Sequence, residues 1–313
     1  MSRVLILSKR AEDYRPLVEA AGLPGLEKLV SATTSSEALT LGDDFDVVFG
    51  EPVLIRDVVA RLPNLRWVQA TYAGVEPLLD PALRRDYLLT NARGVFGGLM
   101  SEFVFGYLLL HERRMFERHR AQQELRWDKS VTGTLRGKTI GLLGVGSIGA
   151  VLAGTARHFE MAVRGYTRES ESCQDVNTYY HGARLIDFAD GLDYLVSVLP
   201  NTKETVRIVD ASLLERLPIH AIFVNVGRGS AVDEPALVTA LKTGRLAAAV
   251  LDVFEQEPLP PGHPFWHTPN LLMTFHTSAP SIPADLARLF IHNFRRYAQG
   301  QVPLHGVDFE KGY

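Results

Sequence analysis

Apolar and polar positions along this chain follow two rhythms that alternate. Short apolar runs of strand length stand at residues 4–7, 46–49 and 65–70, with a shorter one near 87–90. Stretches with helical spacing, such as 14–21 and 54–62, lie between them. Alternation of this kind predicts a parallel α/β sheet. Gly94, Gly97 and Gly98 then punctuate the chain, and a long helical pattern runs from about residue 100 to 120. It is apolar at first and then strongly charged (HERRMFERHR), which predicts a helix leaving a buried environment for an exposed arm.

A second alternating unit begins at Lys138. TIGLLG is a buried-strand run, GVGSIG a loop, AVLAGTARHF a helix and AVRGYT the next strand. YLVSVLP, AIFVNVG, AAAVLDVF and NLLMTFH read as four more strands. Six strands separated by helices make a complete doubly wound nucleotide domain. PADLARLFIHNFRRYAQG reads as an amphipathic helix ended by Gly300 that returns to the first domain. The expected fold is α/β with two doubly wound parallel-sheet domains. A Rossmann cofactor domain, residues 100–284, is inserted into a flavodoxin-like substrate domain made of 1–99 plus 285–313.

Composition narrows the function classes. A length of 313 residues suits two domains, and 46% hydrophobic with 22% charged residues suits a globular chain. A net charge of -3 gives no general pull toward nucleic acid or an anionic membrane, and no basic patch with interleaved aromatics stands out. The run FVFGYLLL at 103–110 is too short to span a bilayer, and VLIL near the start is too short for a signal-peptide core. The single cysteine, Cys173, has no internal partner, which fits a reducing cytoplasm. No His, Cys and Asp cluster has ligand spacing, so no metal is expected.

The glycine loop carries the first chemistry. It follows an apolar strand and opens a helix, the context that a dinucleotide fingerprint requires. Gly144 suits the tight turn, Gly146 the close approach of a pyrophosphate, and Gly149 the packing of helix on strand. Val145, Ser147 and Ile148 complete the loop and open the helix, whose N–H groups and dipole favour phosphate. The cofactor selector sits at the end of the next strand. Thr167 stands where an NAD-binding chain would carry an acid, with Arg168 beside it and Ser170 as a further donor. This favours NADP(H). The alternative, Glu169 on the ribose with Arg168 solvated, keeps NAD(H) open.

Three further residues suggest a reaction. Arg228 in NVGRG follows a buried strand, and its planar fork suits a carboxylate. His276 follows the strand NLLMTF and is suited to exchange a proton near neutral pH. It is one of ten histidines, singled out by its strand-end position and by Glu257 in DVFEQEPLP, a carboxylate able to fix the ring.

At this point the chain resembles the D-isomer-specific 2-hydroxyacid dehydrogenase family. The matching segments are LRGKTIGLLGVGSIG, LVSVLPNTKETVRIVDASLLERLP, FVNVGRGSAVDEPALVTALKTGRLAAAVLDVFEQEPLP and FWHTPNLLMTFH, with YAGVEPLL weaker upstream. Within the family it is most similar to the glyoxylate/hydroxypyruvate reductase A branch. The resemblance implies that Arg228 binds and polarises a keto acid, Glu257 supports the histidine, and His276 exchanges the proton. It implies that the Ala73 and Gly74 amides hold the substrate carboxylate, with Tyr72 lining the substrate side. It implies cofactor contacts at Leu199, Pro200, Val226, Gly227 and Asp252, and a homodimer formed through the cofactor domains by an arm over 112–135 that includes Trp127. The chain departs from the family at its last motif. Phe275 replaces the usual proline before the histidine, and Thr277, Ser278 and Pro280 follow it.

The function implied is NADPH-dependent reduction of a small 2-keto acid to the D-2-hydroxy acid, glyoxylate and hydroxypyruvate being the first candidates. Closure of the domains would exclude water from the reaction. An NADH-linked enzyme for bulkier keto acids is one alternative. A non-catalytic dinucleotide sensor is another, though a sensor needs none of Arg228, Glu257 and His276.

Overall fold

A computed structural model describes residues 1–312. The chain divides into two compact units, residues 1–96 with 281–313 and residues 97–280. In the first unit, β1 (Ser2–Leu7), α1 (Ala11–Ala20), β2 (Leu26–Ala32), α2 (Ser35–Thr40), β3 (Val47–Gly50), α3 (Pro52–Arg56), β4 (Trp67–Ala70) and β5 (Leu88–Thr90) follow one another. Their order in the sheet is β2-β1-β3-β4-β5, all parallel. This is the flavodoxin-like winding.

The second unit holds α4 (Gly97–Glu112), α5 (Met115–Gln123), β6 (Thr139–Leu143), α6 (Ser147–His158), β7 (Ala162–Tyr166), β8 (Thr178–Tyr180), α7 (Leu185–Ala189), β9 (Tyr194–Ser197), α8 (Ala211–Arg216), β10 (Ile222–Asn225), α9 (Glu234–Lys242), β11 (Ala248–Leu251) and β12 (Leu271–Met273). The sheet order is β12-β11-β10-β9-β6-β7-β8. The chain moves outward from β6 to β8, then returns to the other side of β6 at β9. That reversal is the Rossmann switch point. The amphipathic helix α10 (Pro283–Ala298) then closes the first unit. Its Phe290 ring stacks on Phe49 at 4.6 Å and on Trp67 at 5.5 Å. Its Asn293 amide donates to Gln69 Oε1 at 2.8 Å.

Side-chain alternation explains the double winding. Leu195 and Phe223 enter one core with Leu213, Leu237 and Phe265, while Tyr194, Val196 and Val224 enter another with Leu108 and Leu152. Strands buried on both faces need continuous apolar runs, and β9, β10 and β11 have them. Three details differ from the sequence expectation. β2 and β8 are additional strands, both at sheet edges. The long helix expected over 100–120 is two helices, broken at Arg114, whose φ of 51° is left-handed. The helix expected over 54–62 is the short α3 followed by a 3-10 turn at Val59–Arg61.

Candidate active site

Register assembles the site of the second unit. The paired residues Tyr166, Leu143, Ser197, Asn225, Leu251 and Met273 form one row across the sheet. The residues that follow them leave the same carboxyl edge. They are Thr167, Gly144, Val198, Val226, Asp252 and Thr274. Segments scattered over more than a hundred positions therefore emerge side by side. In open α/β sheets this edge is where ligands bind.

The glycine loop has the form a dinucleotide needs. Gly144 turns with φ +94°, and a Cβ on Gly149 would lie 2.3 Å from the Gly144 carbonyl oxygen. Gly146 caps α6 without a side chain, and the space before it is open, with no atom within 4 Å of where a Cβ would stand. The first amides of α6 are thus presented to that space. These residues fit a bound pyrophosphate.

The selector loop is tied down. Thr167 donates its hydroxyl proton to the Ser170 carbonyl at 2.7 Å, and its own N–H bonds the Tyr180 carbonyl. Arg168 lies 3.4 Å from Glu204 in an exposed ion pair. Leu199 is buried, and the Pro200 carbonyl accepts from the Thr205 hydroxyl at 2.7 Å.

The Arg228 loop shows why glycine flanks the arginine. A Cβ on Gly227 would sit 2.7 Å from both N and O of Leu199. One on Gly229 would sit 1.8 Å from the Phe254 carbonyl carbon. The loop is pressed against main chain on both sides, and no larger residue fits without moving it. Asn225, fully buried, closes it further. Its amide donates to the Arg228 carbonyl at 2.9 Å, and its oxygen accepts from the Gly227 N–H at 3.1 Å. Arg228 is half-buried and also donates to the Gly227 carbonyl.

His276 meets Glu257. Nδ1 of the ring lies 2.8 Å from Glu257 Oε2, and Glu257 Oε1 accepts from the Phe254 N–H at 3.0 Å. A carboxylate only accepts, so Nδ1 carries a proton and Nε2 is left for other work. The ring is 58% exposed on a backbone with φ 56°. Asp252 holds that backbone. Its carbonyl accepts from the His276 N–H at 2.7 Å, and its carboxylate accepts from the Thr274 hydroxyl and from the Thr277 and Ser278 N–H groups at 2.8 and 3.1 Å. Asp252 is fully buried, so these bonds are made out of water. Glu234 fixes the far side of the Glu257 loop, accepting from the Glu255 N–H at 3.1 Å and facing His263 Nε2 at 3.1 Å.

The sequence reading passed over Asn225 and Glu234 and assigned Asp252 to the cofactor alone. The signal for Asn225 and Asp252 was present, since each is a lone polar residue at the end of an apolar strand run. In the first unit, Tyr72, Ala73 and Gly74 form the turn after β4. The Ala73 carbonyl accepts from the Asn91 amide at 2.9 Å, and Tyr72 is 41% exposed, its hydroxyl pKa raised by partial burial and then by Glu51.

Comparisons with known proteins agree on one family. The NAD-binding-domain model of the D-isomer specific 2-hydroxyacid dehydrogenases matches residues 105–278. Glyoxylate/hydroxypyruvate reductase A of Yersinia enterocolitica is 31% identical over 312 residues, 96% of this chain and 98% of the relative. A D-isomer specific 2-hydroxyacid dehydrogenase family protein from Aeromonas salmonicida superposes with a TM-score of 0.92 at 42% identity, over 99% of this chain and all of that one. An NADPH-dependent glyoxylate/hydroxypyruvate reductase of Sinorhizobium meliloti, solved with NADP and sulfate, gives a TM-score of 0.87 at 29% identity with both chains fully covered. With its winding, its glycine loop and its matched length all in agreement, the chain belongs to the D-isomer specific 2-hydroxyacid dehydrogenase family.

Proposed function

We propose that this protein reduces a small 2-keto acid to the D-2-hydroxy acid with NADPH, glyoxylate and hydroxypyruvate being the first substrates to test. The observation that carries the reading is the His276–Glu257 pair at 2.8 Å, on the same sheet edge as Arg228 and the glycine loop. The reductase names and NADP complexes of its relatives support it. When bound, the nicotinamide supplies hydride to the carbonyl carbon. Arg228 binds the keto acid and polarises its carbonyl, with charge-assisted hydrogen bonds that strengthen as the oxygen gains charge. His276 delivers the proton to that oxygen from Nε2, and Glu257 holds the ring through Nδ1. The Ala73 and Gly74 amides are proposed as donors to the substrate carboxylate. Gly144–Gly149 and the first turn of α6 would hold the pyrophosphate, and Arg168 and Ser170 the 2′-phosphate, on a loop that Thr167 anchors. Val226, Gly227 and Leu199 would line the nicotinamide side.

The test is loss of nicotinamide absorbance with glyoxylate, hydroxypyruvate and pyruvate, each run with NADPH and with NADH. Turnover of the first two with NADPH preferred is expected. Preference for NADH would remove the cofactor reading and keep the chemistry. A second reading, bulkier keto acids, draws on Phe275. This side chain is 59% exposed next to His276 and leans on Trp266 with 5.8 Å between rings. Phenylpyruvate in the same assay distinguishes it.

We also propose a homodimer formed by the segment 112–135. Leu125, Trp127 and Val131 are 96%, 86% and 90% exposed. Such apolar exposure marks an association surface. Sedimentation equilibrium should give twice the 34.7 kDa chain mass, and Trp127→Asp should return it to the monomer. A wild-type monomer at micromolar concentration would end the idea. No helix among the described residues is long and apolar enough to cross a membrane.

A further inference from the structure

His181 stands beside the cofactor selector, and none of the chemistry above uses it. It follows β8 directly, next to the end of β7. Its Nδ1 lies 3.0 Å from the Thr167 carbonyl oxygen and 3.1 Å from Thr167 Oγ1. Its Nε2 lies 2.8 Å from Glu171 Oε1. Every one of these partners is an acceptor. The Thr167 hydroxyl has already committed its proton to the Ser170 carbonyl, so it offers His181 only lone pairs. A neutral imidazole has one N–H and would leave a bare nitrogen facing an acceptor. Only the doubly protonated ring satisfies both sides. One side chain thereby ties the first residue of the selector loop, Thr167, to its far end, Glu171, with Arg168 and Ser170 between them.

Other groups around the ring favour the same form or oppose it weakly. The Tyr179 ring, on β8, lies parallel to it at 6.3 Å. Arg184, on the turn that follows, carries a charge that opposes it. The hydrogen bond to Glu171, then that to the Thr167 carbonyl, raises the pKa of His181 above its ordinary value. A group raised in this way makes its contacts in full at lower pH. It loses them as pH rises through the raised value.

We propose that His181 is a positioning residue for cofactor choice. Its doubly protonated ring holds the 167–171 loop in the form that accepts a 2′-phosphate, and the preference for NADP(H) over NAD(H) declines as that ring deprotonates. The proposal rests on the NADP(H) reading above.

The test is calorimetric binding of NADP⁺ and of NAD⁺ to the full-length protein from about pH 7 to about pH 9. A phosphate with a second pKa of about 6 is already dianionic over that range. In the wild type the ratio of affinities should fall about tenfold. In His181→Gln it should start low and stay flat. In Glu171→Gln the fall should move to lower pH, a shift that general loosening of the loop would not produce. The imidazole resonance missing from the His181→Gln spectrum should titrate with the same midpoint as the wild-type ratio. A pH-independent preference, or a fall that His181→Gln leaves unchanged, would overturn the proposal alone. A wild type that binds both dinucleotides alike at every pH would overturn the NADP(H) reading and the proposal with it.

Discussion

His276→Ala is expected to lower kcat about 10²–10⁴-fold while leaving KM and NADPH binding close to wild type. The side chain is exposed and fills no core, so the fold does not depend on it. Its backbone is held by Asp252 through contacts that alanine keeps. What disappears is the Nε2 proton, whose partner exists only as the carbonyl oxygen gains charge, so the loss falls on turnover. Glu257→Gln should cost less, on the order of tenfold, because an amide oxygen can still accept from Nδ1 but brings no charge. Steady-state and single-turnover kinetics on folded variants check both. Turnover of His276→Ala within about threefold of wild type would remove His276 from acid/base chemistry.

Arg228→Lys should lower kcat/KM about 10²–10³-fold, with KM raised and kcat reduced together. Lysine keeps the positive charge, so a purely Coulombic role would survive the change. A fork that engages carboxylate and carbonyl at once would not, since an ammonium has neither the reach nor the planar pair of donors. The loop cannot shift to compensate. Gly227 lies on the Leu199 main chain, Gly229 lies on that of Phe254, and Asn225 bonds the loop from below. Added guanidinium should partly restore Arg228→Ala. A lysine variant within about fivefold of wild type would show that charge alone suffices.

Interior strands were legible because both their faces are buried, which forces continuous apolar runs such as YLVS and IFVN. The strands that escaped notice are the edges. β2 carries Glu27 and Lys28, and β8 is three residues long. Edge strands are kept short or charged because an apolar edge would recruit other chains, and this erases the pattern a reader looks for. The break at Arg114 left no mark either, since neither glycine nor proline stands there. At the site, Arg228 and His276 could be picked out by position at strand ends. Their partnerships could not. Glu257 reaches His276 because β11 and β12 are neighbours in space, a fact that spacing of nineteen residues does not encode. The sequence offers Glu257 as a carboxylate able to fix the ring, but its choice among loop carboxylates leans on the family resemblance. The clamps by Asp252 and Asn225 are tertiary facts as well, although their burial could have been suspected from the apolar runs they close.

The split of the first unit between the two ends of the chain sets an order of events during synthesis. β3 and β4 leave the ribosome early, but the helix that covers Phe49 and Trp67 begins only at Pro283. Residues 97–280 are made in between. At about 5–20 residues per second this is a wait of roughly 10–40 s. Over that interval Phe49 has only the Tyr14 ring of α1 against it and Trp67 lacks the rings of α10, whereas the second unit, continuous in sequence, has every strand it needs before α10 exists. The nascent chain therefore completes its middle before its beginning, and a chaperone that shields β3 and β4 would act in that window.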